Sequence, residues 1–191
     1  MSTCATWLRR VRAFKGSESG IAAVEFALIL PIMLLLYIGM AEGSTMISMD
    51  RKVQTVSGSV GDLVARSNGV ITYNTLDNYV KIAAGIMTPY SSDELVQLVT
   101  QVHVDSAGKA TVDWSQRYVG PLRQNTGTYA KGAVFPLPVD VVAIAKGEYV
   151  IVTESALTYS PLFGLVFDKP VNLKRENFFM PRFREQIKLT P

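Results

Sequence analysis

A chain of 191 residues has room for one ordinary domain and an appended helix, but not for two full domains. Its formal charge of +3 resides entirely in the first twenty residues, where Arg9, Arg10, Arg12 and Lys15 outnumber Glu18 by three. The chain past Gly20 is therefore formally neutral. It has no basic surplus with which to displace phosphate counterions, and this excludes nucleic-acid binding as a function.

The sole cysteine, Cys4, rules out an intrachain disulfide and leaves a thiol-free remainder that suits an oxidising compartment. After this basic leader, residues 1–20, comes an apolar run from Ile21 to Ala41 in which Glu25 is the only charge. At 1.5 Å per residue such a run spans about 30 Å, enough to cross a bilayer. Four basic residues precede it, whereas Glu42, Asp50, Arg51 and Lys52 follow. The positive-inside rule thus predicts a cytoplasmic N-terminus and an external C-terminal domain. Pro31 removes one backbone hydrogen bond mid-run, a defect that membrane helices tolerate.

Three readings of the run compete. A plain signal-anchor explains its hydrophobicity and flanks but not Glu25, since a lone carboxylate in a spanning helix costs about 2.5–3.5 kcal/mol. A secretory signal peptide would use the small residues around Gly39 and Ala41, but the long polar leader and the charge in the run fit it poorly. In the third reading the chain is cut between Gly20 and Ile21. The Ile21 amine, with a pKa near about 8, is then cationic and can be neutralised by Glu25 of its own or a neighbouring chain.

From Glu42 to about Ser67, Met46, Met49, Val53, Val56, Val60 and Leu63 recur at three- and four-residue spacing, which predicts an amphipathic continuation of the same helix over residues 42–67. Gly58 and Gly61 weaken its later part, and Ser67-Asn68-Gly69 supplies a stop. Gly39 and Gly43 have the GxxxG spacing that permits close helix approach.

Residues 68–191 read as an α+β domain. Thr75 to Met87 places Leu76, Tyr79, Val80, Ala83 and Ile86 on one helical face, closed by Pro89. Strands are predicted over Leu95–Val104 and Ala110–Val119, joined by a hairpin through Gly108. Gly120–Pro138 reads as a loop, and Val139–Ala145 as a short helix or strand. Glu148–Tyr159 reads as a central strand and Val171–Met180 as another. The expected fold class is α+β: a long N-terminal helix, transmembrane then amphipathic, packed on a small antiparallel sheet of four strands.

Catalytic signals are weak. The only histidine, His103, reads as a partly exposed strand residue, and no metal-ligand or phosphate-loop spacing occurs. Asp62, Asp77, Asp93 and Glu94 read as solvated surface. Tyr159, Phe163, Phe167, Phe178 and Phe179 read as core and turn anchors.

The opening stretch "GIAAVEFALILPIMLLLYIGMAE" resembles the start of the TadE/TadG family, minor pilin-like proteins of tight-adherence (Tad) pili. "LTYSPLFGLVF" followed by "FFMPR" resembles that family's closing pattern. The chain is short for the von Willebrand-like domain of many TadG proteins, so the resemblance is to the TadE-like branch. It implies a pilin-like fold and a precursor in the bacterial inner membrane, with its C-terminal domain periplasmic. It also implies a processing and assembly site at Gly20, Ile21, Glu25 and Phe26. The implied partners are prepilin peptidase, other pilin-like subunits, the inner-membrane assembly platform and membrane lipid. No cofactor, small-molecule substrate or enzymatic activity is implied. The alternative is an uncleaved single-pass protein with a periplasmic binding domain.

Overall fold

The structure, a computed structural model, describes residues 19–165 and 168–191. The basic leader up to residue 18, Cys4 and Phe167 lie outside the described residues. Helix α1 (Ser19–Ala65) runs unbroken for 47 residues, about 70 Å. It is followed by β1 (Val70–Thr72) and α2 (Tyr73–Ala84), which passes into a 3-10 turn at Gly85–Met87. Then come β2 (Val96–Val104), β3 (Ala110–Val119), β4 (Leu122–Gln124), α3 (Val139–Ile144), β5 (Tyr149–Tyr159), β6 (Val171–Phe179) and β7 (Lys188–Thr190). Five strands form an antiparallel sheet in the order β4-β3-β2-β5-β6, and β1 pairs with β7 in parallel.

The α+β architecture with the long helix on an antiparallel sheet is as the sequence pattern predicts, with five strands rather than four. The short β4 lies inside the stretch expected to be loop. Val139–Ile144 resolves as helix.

Helix α1 packs across β5 and β6 and against α2. Val53, Val56, Val60 and Val64 are buried at three- and four-residue spacing, each burial favouring the fold by about 1.5–3 kcal/mol. Valine and glycine are weak helix formers, so this part of α1 relies on its packing. Leu63, expected on the buried face, is only half-covered, and Val64 takes its place.

Gly58 and Gly61 do not break the helix. A Cβ on Gly61 would lie 2.4 Å from Phe179 ring carbons and 3.0 Å from Thr153 Oγ1, whereas one on Gly58 would meet nothing within 4 Å. Gly61 therefore lets β5 and β6 approach the helix closely. Beside it, Ser57 Oγ donates to the Thr153 carbonyl at 2.8 Å while Thr153 Oγ1 donates to the Ser57 carbonyl at 2.9 Å. This buried reciprocal pair fixes the helix against β5.

Both faces of the sheet are covered, and the period of two sorts the side chains. On β5, Ile151 and Leu157 enter the core shared with α1 and α2, while Val150 and Val152 enter a second core with Phe135 and Ala145. On β3 the sorting changes partway. Ala110 and Val112 face the second core, yet Trp114 and Tyr118 face the first. The pairing register shifts between Gln101 and Val102, leaving Asp113 as an extra residue on β3. Such a bulge inverts the alternation, and Gln101 Nε2 donates to the Asp113 carboxylate at 3.0 Å across it.

Thr72 caps α2, its hydroxyl accepting the Thr75 N–H at 3.1 Å. The hairpin between β2 and β3 closes as expected, with Gly108 at φ +90°. The C-terminal segment ties the assembly together. The Arg182 N–H donates to the Ala65 carbonyl at 2.8 Å, satisfying the end of α1. Ile187 is fully buried; its N–H donates to Gln101 at 2.9 Å and its carbonyl accepts from Trp114 at 2.7 Å.

The two glycines should respond oppositely to alanine. Gly61→Ala forces the Phe179 ring aside and is expected to destabilise the full chain in detergent by about 1–3 kcal/mol. Gly58→Ala is expected to stabilise it by about 0.5–1 kcal/mol. Thermal unfolding followed by circular dichroism measures both, and shifts of the same sign would refute the close-approach role of Gly61.

Candidate functional site

The N-terminal stretch of α1 after Ser19 has no protein cover as far as Tyr37. Every residue from Gly20 to Tyr37 is exposed, and the most apolar stretch, of mean hydropathy 2.5, is wholly unburied. By length and composition this helix could span a membrane. Apolar surface on this scale marks a membrane or protein contact.

All four predicted site residues lie here. Gly20 is in the first turn, and Ile21 and Phe26 are 59% and 61% exposed. Glu25 is exposed one turn after Ile21, on the same side of the helix. The carboxylate thus sits on a greasy surface among Val24, Phe26 and Leu28, all exposed. Among the described residues, no other element of the fold covers this stretch.

The lower boundary of the apolar run is built differently. Glu42, by sequence a flanking charge and the last residue of the opening motif, is buried, at 3% exposure. Its Oε1 accepts the backbone N–H groups of Phe163 at 2.8 Å and Gly164 at 3.3 Å. Its own carbonyl accepts from the Tyr159 hydroxyl at 3.2 Å. Burial, then the neighbouring Glu42 carboxylate, raises the Tyr159 phenol above its ordinary pKa, so Tyr159 stays a neutral donor. The opening and closing motifs therefore meet in space, 121 residues apart in the chain. Both halves were visible in the sequence, but nothing local pairs them. Phe163, expected to be an anchor by its ring, is held by its backbone while its side chain is 59% exposed.

Further along α1, polar contacts follow the buried valines. Asp50 accepts from Arg175 Nε at 2.9 Å and also from its Nη2, which raises the guanidinium pKa further. Lys52 Nζ donates to the carbonyls of Ile86 and Thr88 at 2.9 and 2.8 Å, joining α1 to the end of the 3-10 turn. Gln54 donates to Asn177 at 2.9 Å.

The other titratable contacts are structural. Tyr118 is buried and donates to Asp77 at 2.8 Å, and burial followed by that bond raises its pKa. Asp77, expected as free surface, is thus the partner of a core tyrosine. Glu154 pairs with Lys174 at 2.6 Å and accepts from Tyr129 at 3.1 Å. The hydrogen bond to Glu154 raises the Lys174 pKa, whereas desolvation, with Glu154 nearby, raises that of Glu176. His103 lies half-buried on β2 with its ring 4.8 Å from that of Tyr149. Among the described residues no cluster of three or more His, Cys, Asp or Glu could hold a metal ion.

The family model described as TadE-like protein matches residues 20–58. The matched stretch begins at Gly20, contains Glu25 and Glu42, and ends within the buried face of α1. No curated protein and no solved structure matches the chain.

Removing the Glu42 carboxylate should free the loop it holds. In Glu42→Ala, amide exchange at Phe163 and Gly164 is expected to rise while that of Ile151 and Val152 in β5 stays protected. The loss in stability should be about 1–3 kcal/mol. Glu42→Gln keeps an acceptor oxygen and should restore most of the protection. Unchanged exchange in Glu42→Ala would show that the loop is held by other contacts.

Proposed function

We propose that this chain is a TadE-like minor pilin or pseudopilin of a Tad pilus system, which works by subunit assembly in surface attachment. The TadE-like segment at residues 20–58 supports a Tad pilus-associated component, and pilin-like subunits as partners. That family consists of pilus components, not enzymes. In this reading prepilin peptidase removes residues 1–20, and residues 21–41 cross the bacterial inner membrane with the N-terminal side cytoplasmic. Residues 42–67 extend the helix, and residues 68–191 form the periplasmic domain. The assembly platform of the inner membrane receives the processed subunit.

The observation that carries the reading is Glu25. It stands on an exposed apolar helix face, one turn from Ile21, where a carboxylate is costly unless something cationic meets it. Cleavage after Gly20 creates such a group, the Ile21 amine. In a bundle of subunits the Glu25 carboxylate of one chain can neutralise the amine of its own chain or of the next. The exposed side chains of Ile21 and Phe26 then pack against apolar neighbours. Gly20 leaves the scissile bond sterically open to the peptidase.

Glu25→Ala and Glu25→Gln test this pairing. Both variants are expected to insert, since removing the charge lowers the insertion cost by up to about 2.5–3.5 kcal/mol. Both should also lose the leader, because the scissile bond lies upstream. Co-purification with the other pilin-like subunits and pilus output should fall sharply in both, as the glutamine keeps the shape but not the charge. Wild-type assembly of both processed variants would restore the plain-anchor reading.

A further inference from the structure

Resting on the reading that α1 spans a membrane, we propose that the loop of residues 161–165 is a second, interfacial membrane contact, whose apolar side chains enter the bilayer surface beside the exit of the helix. The loop exposes Leu162 at 83%, Phe163 at 59% and Leu165 at 59%. Three large apolar side chains so exposed within four residues are unusual for a surface facing only water.

The structure fixes the height of this loop. Its Phe163 and Gly164 N–H groups are bound by the carboxylate of Glu42, the residue directly after the apolar run. Side chains on a helix lean toward its N-terminus, so this carboxylate reaches back over the preceding turn, into the last turn of the apolar run. Ile38 and Gly39, in that turn, are the two residues between Gly20 and Ala41 that are partly covered; all others there are exposed. The loop backbone therefore lies level with the end of the spanning segment. Its exposed apolar side chains therefore stand at the level where the apolar surface of the helix ends.

The chemistry favours lipid as the occupant. An apolar element held at the boundary can sink about 5–10 Å into the zone between headgroups and acyl chains. Asp168 and Lys169, exposed just beyond, carry opposite charges, so the contact is apolar and not an attraction to anionic headgroups. With the helix crossing the bilayer at one point and the loop touching it at another, the tilt of the periplasmic domain is set by two supports.

The far end of the domain supplies a control. Strand β5 has 11 residues, about 33 Å, and leads from the end of α3 to this loop. Ile144 on α3, 72% exposed, therefore stands well away from the membrane.

The test places nitroxide labels on the full chain, in a Cys4→Ser background, at Leu162→Cys, Leu34→Cys and Ile144→Cys. The protein is reconstituted in phosphatidylcholine vesicles, and collision with oxygen, which partitions into lipid, is compared with collision with a water-soluble nickel chelate. The label at 162 is expected to favour oxygen, at a shallower depth than the label at 34, while that at 144 favours nickel. Adding Glu42→Ala should move the 162 label toward nickel. A 162 label that behaves like 144 while 34 remains in lipid overturns the proposal and leaves the spanning helix standing. A 162 label shielded from both reagents is covered by protein and also overturns it. A label at 34 that favours nickel overturns the spanning reading and the loop with it.

Discussion

A single helix has to satisfy two environments, and the arrangement of the molecule follows from where α1 changes over. From Gly20 to Tyr37 its residues are exposed on every side and uncharged apart from Glu25; from Val53 to Ala65 a stripe is buried against β5, β6 and α2. The buried half is composed of residues that favour helix only weakly, so the sheet supports the helix as much as the helix covers the sheet. Ser57 and Thr153, exchanging buried hydrogen bonds, set the register between them. The absent side chain of Gly61 sets the spacing.

Between the two halves lies the stretch from Ile38 to Lys52, where the polar contacts concentrate. Glu42 holds the loop after β5, Asp50 holds β6 through Arg175, and Lys52 holds the end of the 3-10 turn. The exposed pairs contribute little individually. Their value is positional, since each ties a different element to one short length of helix. For a subunit proposed to work by stacking its helices, a rigid connection between helix and domain means that packing of the one fixes the orientation of the other.

What could be read from the sequence was what repeats locally. The 3.6-residue period of Val53, Val56 and Val60, the buried face of α2 and the positions of strands β2, β5 and β6 all reach the structure within about three residues at their ends. What could not be read depends on a partner far along the chain. Asp113 inverts the faces of β3 only because of how it pairs with β2. The three-residue β1 becomes a strand only when β7 lies beside it. Gly61 looks like a helix breaker until Phe179 is placed against it. Glu42 looks like a flanking charge until the backbone of Phe163 arrives. At the candidate site the exposure and shared face of Ile21 and Glu25 follow directly from helical spacing, so that part was legible, whereas the Glu42 junction was not.

The proposed role depends on the Ile21 amine, because without it Glu25 has no cation to meet and the exposed face of α1 has no reason to carry a carboxylate. The most direct measurement is the N-terminal residue and intact mass of the wild-type protein extracted from the membrane. The account predicts a chain beginning at Ile21, lighter by residues 1–20. A chain that retains the leader, with Gly20 and Ile21 still joined, would contradict it.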